Sequence, residues 1–283
     1  MSSVLFDTPG PRTRARHRIY TVVSAVVLAG LLAWFLWYLN EQGEFAYELW
    51  EPFLTPAYVD ALAQGLRDTL AMAVLAILFA VVAGFLFGVG KLSDHRVLRW
   101  PSWLVVEFFR AVPLLLLIIF LRFGPLALGP YWSVVVGLML YNGAVLAEIT
   151  RAGVLAVPRG QVEAAYALGM RKTQVMLSIQ LPQAVKIMIP AIISQCIVAL
   201  KDTSLGFYVL APGLTTVGRS IWIEFGNQLQ TAVVLSAIYI LCNLVLTVLA
   251  TWAQRKLVGE RRAIIHIADP GMDHGGPAAG PSS

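Results

Sequence analysis

The sequence predicts an all-α, polytopic membrane protein of about six transmembrane helices, and three observations predict it. Of 283 residues, 58% are hydrophobic and only 13% are charged, with a mean hydropathy of +0.73. A soluble globular domain carries about 25% charged residues. Apolar runs recur along the chain, near or above the roughly 20 residues that cross the hydrocarbon core as a helix. The basic clusters at 12–18, 91–99, 151–172 and 255–262 all fall on connections that alternation puts on one side. Positive charge stays in the cytoplasm, so this side, with both termini, is expected inside. The same clusters account for a pI near 9.4 as an orientation signal, so no nucleic-acid partner is expected.

Met1 to Arg18 is polar and basic, with Arg12, Arg14, Arg16, His17 and Arg18, and Pro9, Gly10 and Pro11 are expected to break structure there. The apolar run Ile19 to Leu39 follows. It exceeds the roughly 7–15-residue apolar core of a signal peptide. It ends in Trp34, Trp37 and Tyr38, which fit an interfacial belt, and it reads as a retained first span. Asn40 to Asp60 carries Glu41, Glu44, Glu48, Glu51 and Asp60 with no Lys or Arg, and is placed outside. Its aromatics, Phe45, Tyr47, Trp50 and Phe53, suggest that it lies along the membrane surface. The second span, about Ala61 to Gly90, is too long for a straight crossing and must tilt or project. Gly84-x-x-x-Gly88 allows close helix approach and reads as a packing device.

Lys91 to Pro101 holds Lys91, His95, Arg96 and Arg99 and is expected inside. The third span is about Ser102 to Arg122, and Gly124, Pro125, Gly129 and Pro130 make the next turn. The fourth runs from about Tyr131 to Arg151 and the fifth from about Ala184 to Leu200. Lys201 to Gln230 is expected as an outer connection with a short apolar piece, Phe207 to Ala211. The sixth, about Thr231 to Trp252, is closed by Arg255, Lys256, Arg261 and Arg262. The tail from Ala268 is too poor in apolar residues to pack and is expected to be disordered. Cys196 and Cys242 lie in apolar segments and read as small hydrophobes. The histidines, His17, His95, His266 and His274, are scattered, so no metal site is expected.

Ionisable groups inside spans are expensive and often functional. Glu107 and Arg110 stand three residues apart on the third span, close enough to pair on one helical face, and Glu148 and Arg151 repeat the spacing on the fourth. Both pairs can be structural pairs at the membrane rim or part of a substrate path. Lys201-Asp202-Thr203-Ser204 follows the fifth span. Arg110 and Lys201 are the candidates to compensate an anionic substrate.

Between the fourth and fifth spans lies Pro158 to Pro182, reading PRGQVEAAYALGMRKTQVMLSIQLP, which Arg159, Arg171 and Lys172 keep out of hydrocarbon. Pro158 suits a helix start. Glu163, Ala164, Ala165, Ala167 and Leu168 are good helix formers, and Gly169 breaks or bends the run. Leu181-Pro182 is expected to close the stretch, because a residue before proline avoids the α region. Glu163-Ala164-Ala165, Gly169 and Ile179-x-Leu181-Pro182 resemble the EAA loop of ABC-importer permeases, with the family's spacing at each of those positions. The resemblance implies that Glu163, Ala164, Ala165, Gly169, Arg171, Leu181 and Pro182 form a coupling helix and its supports, docked on an ATPase subunit.

Arg110-Ala111-Val112-Pro113-Leu114-Leu115, Ala147-Glu148-Ile149-x-Arg151-Ala152-Gly153 and Lys201-x-Thr203-Ser204-Leu205 resemble the polar-amino-acid subfamily of those permeases. The family more often has Arg-Gly-Thr-Pro where this chain has Arg110-Ala111-Val112-Pro113. The N-terminal arm, with Phe6-Asp7-x-Pro9-Gly10-Pro11, looks like that of the second permease of actinobacterial glutamate importers. The implied fold is a type I ABC-importer (MetI-like) permease core with an extra N-terminal helix. Residues 1–18 would be a cytoplasmic arm, 19–60 the extra helix and acidic outer segment, 61–256 the permease domain with coupling loop 153–182, and 257–283 a cytoplasmic tail. The implied substrate path uses Arg110, Glu107, Glu148, Lys201, Thr203 and Ser204. No Walker A pattern occurs, so ATP would be used by a partner ATPase and this chain would bind no cofactor. A homologous second permease, an external substrate-binding protein, the amino acid (glutamate) and membrane lipid complete the expected partners in a bacterial cell membrane. The competing class is a self-sufficient secondary carrier or channel, which needs an ion relay deep in the spans and often inverted repeats.

Overall fold

A computed structural model of the protein describes residues 10–258. Every regular element among them is helical. The first helix, α1 (Pro11–Glu41), places Pro11 in its first turn, where a missing N–H costs nothing. The stretch 11–18, expected as an irregular arm, therefore continues into the helix. Proline there starts the element instead of breaking it. The apolar window of α1 buries nothing against the rest of the chain. The glutamate-importer-like residues 6–9 and the tail from 259 lie outside the described residues.

The acidic segment folds into α2 (Tyr47–Trp50) and a 3-10 turn, Glu51–Phe53. It is strapped down by hydrogen bonds. Trp50 Nε1 donates to Glu44 O at 3.2 Å, Asn227 Nδ2 to Leu49 O at 2.8 Å, and Gln230 Nε2 to Glu44 O at 2.6 Å. Asn227 and Gln230 are buried, so this segment is fixed to the start of the last helix.

α3 (Pro56–Lys91) has 36 residues. At about 1.5 Å per residue it exceeds the roughly 30 Å hydrocarbon core, as its sequence demands. It packs closely on α6 (Pro130–Leu155). A Cβ on Gly84 would lie 2.5 Å from Leu146 Cβ, and one on Gly88 would lie 2.6 Å from Thr150 Cβ and 2.7 Å from Ala147 O. The glycine pair thus brings two backbones together, and the packing reading holds.

The third span departs from expectation. It is two helices, α4 (Arg96–Ala111) and α5 (Leu114–Phe123), bent by 99°. Proline is the cause. Val112 takes an extended conformation, φ −78 and ψ 127, because Pro113 follows it. Among the described residues five helices are long and apolar enough to cross alone, and counting the broken pair as one span gives six.

After α6 come α7 (Arg159–Ala167) and α8 (Lys172–Val175), a π-helical turn (Met176–Gln180) and α9 (Leu181–Asp202). Leu181-Pro182 does not close the stretch, because helical structure runs unbroken from Lys172 to Val209. The widened π turn shifts the hydrogen-bond ladder just before Pro182, where a donor is missing. The fifth span therefore begins about a dozen residues earlier than its apolar run.

The connection after α9 is also more ordered than expected. A 3-10 segment, Thr203–Val209, leads to α10 (Leu214–Phe225) and then α11 (Gln228–Val258). Leu214, Gly218 and Ile221 lie on one face of α10 and are buried. Leu214 and Ile221 cluster with Leu62 of α3 and Leu235 of α11. The central core joins Met72, Ile118, Val134, Leu138 and Val209 from α3, α5, α6 and the 3-10 segment. α7, α8 and the α3–α4 turn lie at one end of the bundle, where Lys172 at the start of α8 forms a salt bridge to Asp94 of the turn. This end is called the α7 side below.

Candidate functional site

The segment 158–182 folds around two features. Pro158 caps α7 and Gly169 ends it. Gly169 has φ +76, in the left-handed region that favours glycine. Its N–H donates to Tyr166 O at 2.9 Å, and the Met170 N–H donates to Ala165 O at 3.2 Å. This paired pattern is a Schellman motif, which satisfies the last carbonyls of the helix and turns the chain sharply. In the next helix Gln174 Oε1 accepts from the Arg171 N–H at 2.8 Å.

The residues expected to couple divide between two faces. Glu163, Ala164, Gly169, Arg171 and Pro182 are exposed. Ala165 and Leu181 are buried, and Leu181 packs with Val154, Val157, Ala184 and Met188. They hold the segment to the bundle and leave the other face open. Sequence reasoning missed two residues on the open side. Leu168 is 83% exposed and Tyr166 is 45% exposed, although the segment is outside the apolar spans. Helical spacing gave no signal for Leu168, because three residues from the buried Ala165 is a same-face position, whereas Tyr166, the next residue, points about 100° away.

Lys172 also ties the segment to the α3–α4 turn through Asp94. The Lys172 ammonium hydrogen-bonded to Asp94 holds its carboxyl below the usual carboxylate range, with smaller help from His95 and Arg99. The pair is exposed, so salt screens it.

The candidate path residues form two groups. On the α7 side, Glu107 pairs with Arg110 at 3.4 Å and Glu148 with Arg151 at 3.8 Å, as the spacings predicted. Lys91, which sequence reasoning did not connect to them, contacts Glu148 and lies 3.1 Å from Glu107. Its side chain is only 7% exposed. A buried ammonium between two carboxylates locks α3, α4 and α6 together. No local spacing could reveal this, because Lys91 is 16 residues from Glu107 and 57 from Glu148.

The second group lies at the opposite end, where α9 finishes. Lys201 and Ser204 line a groove of ≈ 780 Å³ with Ser236, Tyr239, Asn243 and Thr247 of α11. Thr203 is not on that wall. It is buried and donates Oγ1 to Leu200 O at 2.6 Å. A polar link inside the bundle also escaped the sequence reading: Gln195 Nε2 of α9 donates to Asn142 Oδ1 of α6 at 2.5 Å. Among the described residues no group of His, Cys, Asp and Glu could hold a metal.

With this geometry in view, the chain can be set beside known proteins. Residues 76–259 match the family described as "Binding-protein-dependent transport system inner membrane component". The glutamate transport system permease protein GluD of Corynebacterium glutamicum is 39% identical over 231 residues, covering 79% of this chain and 85% of that protein. The arginine transport system permease protein ArtQ of Bacillus subtilis is 33% identical, with coverage of 69% and 92%. Among solved structures, an amino acid ABC transporter crystallised with histidines superposes with a TM-score of 0.67 at 28% identity, covering 71% of this chain and 96% of that chain. The MetNI methionine ABC transporter in an inward-facing form gives a TM-score of 0.62 at 20% identity, a likeness of fold. The family match begins within α3, so α1 and the acidic segment lie outside it. The matched core, with a short helix α7 set between its fourth and fifth spans, belongs to the family of inner membrane components of binding-protein-dependent transport systems.

Proposed function

We propose that this chain is the permease subunit of an ATP-driven importer of a polar amino acid, with glutamate as its substrate. The observation that carries the reading is α7. It is a short helix outside the apolar spans, ended by the Schellman turn at Gly169, with Glu163, Ala164, Tyr166 and Leu168 open to a partner. Exposed apolar side chains in an aqueous loop favour a protein interface. The partner is a separate ATPase, whose closure on ATP pushes α7. Lys172–Asp94 passes that movement to the α3–α4 turn, and Leu181 passes it to the α6–α9 packing. ATP is used by that partner, and this chain contributes no cofactor site.

The groove beside Lys201 and Ser204 is one wall of the substrate path. A homologous second permease supplies the other wall, and an external binding protein delivers the substrate. Lys201 offers the positive charge that an anionic amino acid needs in a low-dielectric path. The Glu107 and Glu148 cluster serves as a brace, since Lys91, Arg110 and Arg151 already neutralise its two carboxylates. Glutamate is favoured by the likeness to GluD, the most identical of the relatives named above. The chain sits in the bacterial cell membrane with α7 and both termini in the cytoplasm. The test is uptake into liposomes by the purified, complete transporter. Labelled glutamate should enter only with ATP inside, and unlabelled arginine or histidine should compete poorly. Arginine or histidine preference would overturn the substrate. Gradient-driven uptake by this chain alone would overturn the ATP-driven mechanism.

A further inference from the structure

A second cleft lies on the α7 side, away from the Lys201 groove. It holds ≈ 560 Å³ between the end of α3, the face of α4 from Arg99 to Glu107 and the end of α6. Its chemistry is layered. At one wall Lys91 is consumed by Glu107 and Glu148. Two further cations line the cleft. Arg99 lines the cleft and forms no salt bridge among the described residues, although its charge acts on Asp94. Arg151 lines it too, with a side chain 44% exposed and a 3.8 Å separation from Glu148. Arg110 adds a further cation to Glu107 from outside the cleft. Lys91, Arg110 and Arg151 against two carboxylates leave one positive charge in excess, and Arg99 adds a second that an anion can meet.

The remaining wall is aromatic. Trp100 and Trp103 line the cleft in an edge-on pair, with ring centroids 6.1 Å apart. Both are exposed, as are Val97, Leu98 and Leu104 on the same helix. Indoles with an apolar body and a polar edge suit the boundary between acyl chains and headgroups. A soluble anion would use the arginines and leave these apolar groups in water. An amphiphile satisfies both, with phosphate on the guanidinium groups and chains along the tryptophans and Leu104.

We infer that this cleft binds the headgroup of an anionic phospholipid at the α7-side rim of the membrane. Guanidinium groups match phosphate by bidentate hydrogen bonding. Basic pockets between transmembrane helices on the cytoplasmic side bind anionic headgroups by the same chemistry. The bound lipid joins α4 to α6 beside the Lys91 brace. It acts independently of which amino acid is carried.

Native mass spectrometry of the purified, complete transporter tests this, with phosphatidylglycerol or phosphatidylcholine added. The wild type should retain phosphatidylglycerol and lose phosphatidylcholine. Arg99→Gln with Arg151→Gln should weaken phosphatidylglycerol retention about twenty-five-fold, the product of about fivefold for each cation near an anionic surface. Arg99→Lys with Arg151→Lys keeps the charges and should retain most of the binding. A control with Arg16→Gln and Arg18→Gln on α1 should match the wild type. Unchanged retention in the Gln variant overturns the proposal. So does an equal loss in the α1 control, which would mean bulk charge, or a loss in the Lys variant as deep as in the Gln variant. Tighter retention of inorganic phosphate than of phosphatidylglycerol would assign the arginines to a soluble anion and also overturns it.

Discussion

Gly169 is the residue on which the coupling segment depends most. Nothing lies within 4 Å of a Cβ built there, so a side chain would meet no wall. The constraint is the backbone: φ is +76, and a left-handed L-residue costs about 1–2 kcal/mol, more when β-branched. Gly169→Val should therefore leave the bundle intact while loosening the turn that presents Leu168. In the assembled transporter we expect ATP hydrolysis to persist and coupled uptake to fall about tenfold or more. Wild-type uptake would show that the turn is dispensable. A second residue-scale expectation separates the two charge groups. Lys201→Ala removes the cation at the groove and should lower glutamate uptake about tenfold or more, since an uncompensated charge in low dielectric costs several kcal/mol. Arg110→Ala should keep uptake within about twofold. Its pair with Glu107 is 41% and 40% exposed, and exposed pairs contribute about 0–1 kcal/mol. Transport kinetics on both variants check this, and a loss at Arg110 equal to that at Lys201 would return Arg110 to the path. The Glu107–Arg110 and Glu148–Arg151 pairs were legible because three residues is a helical neighbour distance. Lys91 was not, because its partners come from other helices.

At the scale of elements, composition and periodicity carried the spans and their order, and misjudged their ends. The third span reads as one apolar run because hydropathy does not register that Val112-Pro113 redirects the chain by 99°. The fifth was placed late because Lys172 to Gln180 is amphiphilic, and Pro182 looked like a stop. A π turn lets the helix through. α10 was legible in principle, as Leu214, Val217, Gly218 and Ile221 keep helical spacing. Hydropathy finds only the short apolar piece Phe207 to Ala211 between Lys201 and Gln230, so the whole stretch looks like one connection. Gly84-x-x-x-Gly88 reads as a packing device but names no partner; the partner is α6, and the contact allows a sharp test. Gly88→Leu would force a side chain into Thr150 and the Ala147 carbonyl, whereas Gly30 on α1 has nothing within 4 Å of a Cβ. Overpacking a close contact costs about 1–3 kcal/mol or more. Gly88→Leu should lower the thermal midpoint of the detergent-purified protein by several degrees and reduce its yield in the membrane. Gly30→Leu should do neither. Equal melting of the two variants would mean that α3 and α6 do not meet as described.

At the scale of the whole molecule, sidedness connects all the rest. If α7 faces the cytoplasm, the ATPase partner, the Lys91 brace and the lipid cleft are inside, and the acidic strap and Lys201 groove are outside. The charge pattern favours this, because positive residues stay on the cytoplasmic side. The fold supplies a second constraint. The α3–α4 turn shares a side with α7 through Lys172–Asp94, and the acidic strap is fixed at the far end of α3 on Asn227 and Gln230. Position 95 and position 50 must therefore lie on opposite faces of the membrane, whichever face is inside. Cys196 and Cys242 are partly exposed and would react as well, so labelling belongs in a Cys196→Ser, Cys242→Ser background. In that background we expect Trp50→Cys to be labelled by an impermeant maleimide added to intact cells. His95→Cys should be labelled only after the membrane is opened. The exchanged pattern would invert the orientation and remove α7 from the ATPase. Labelling of both sites from outside would contradict the helix count between them, because α3 alone separates residues 50 and 95 and must cross the membrane once.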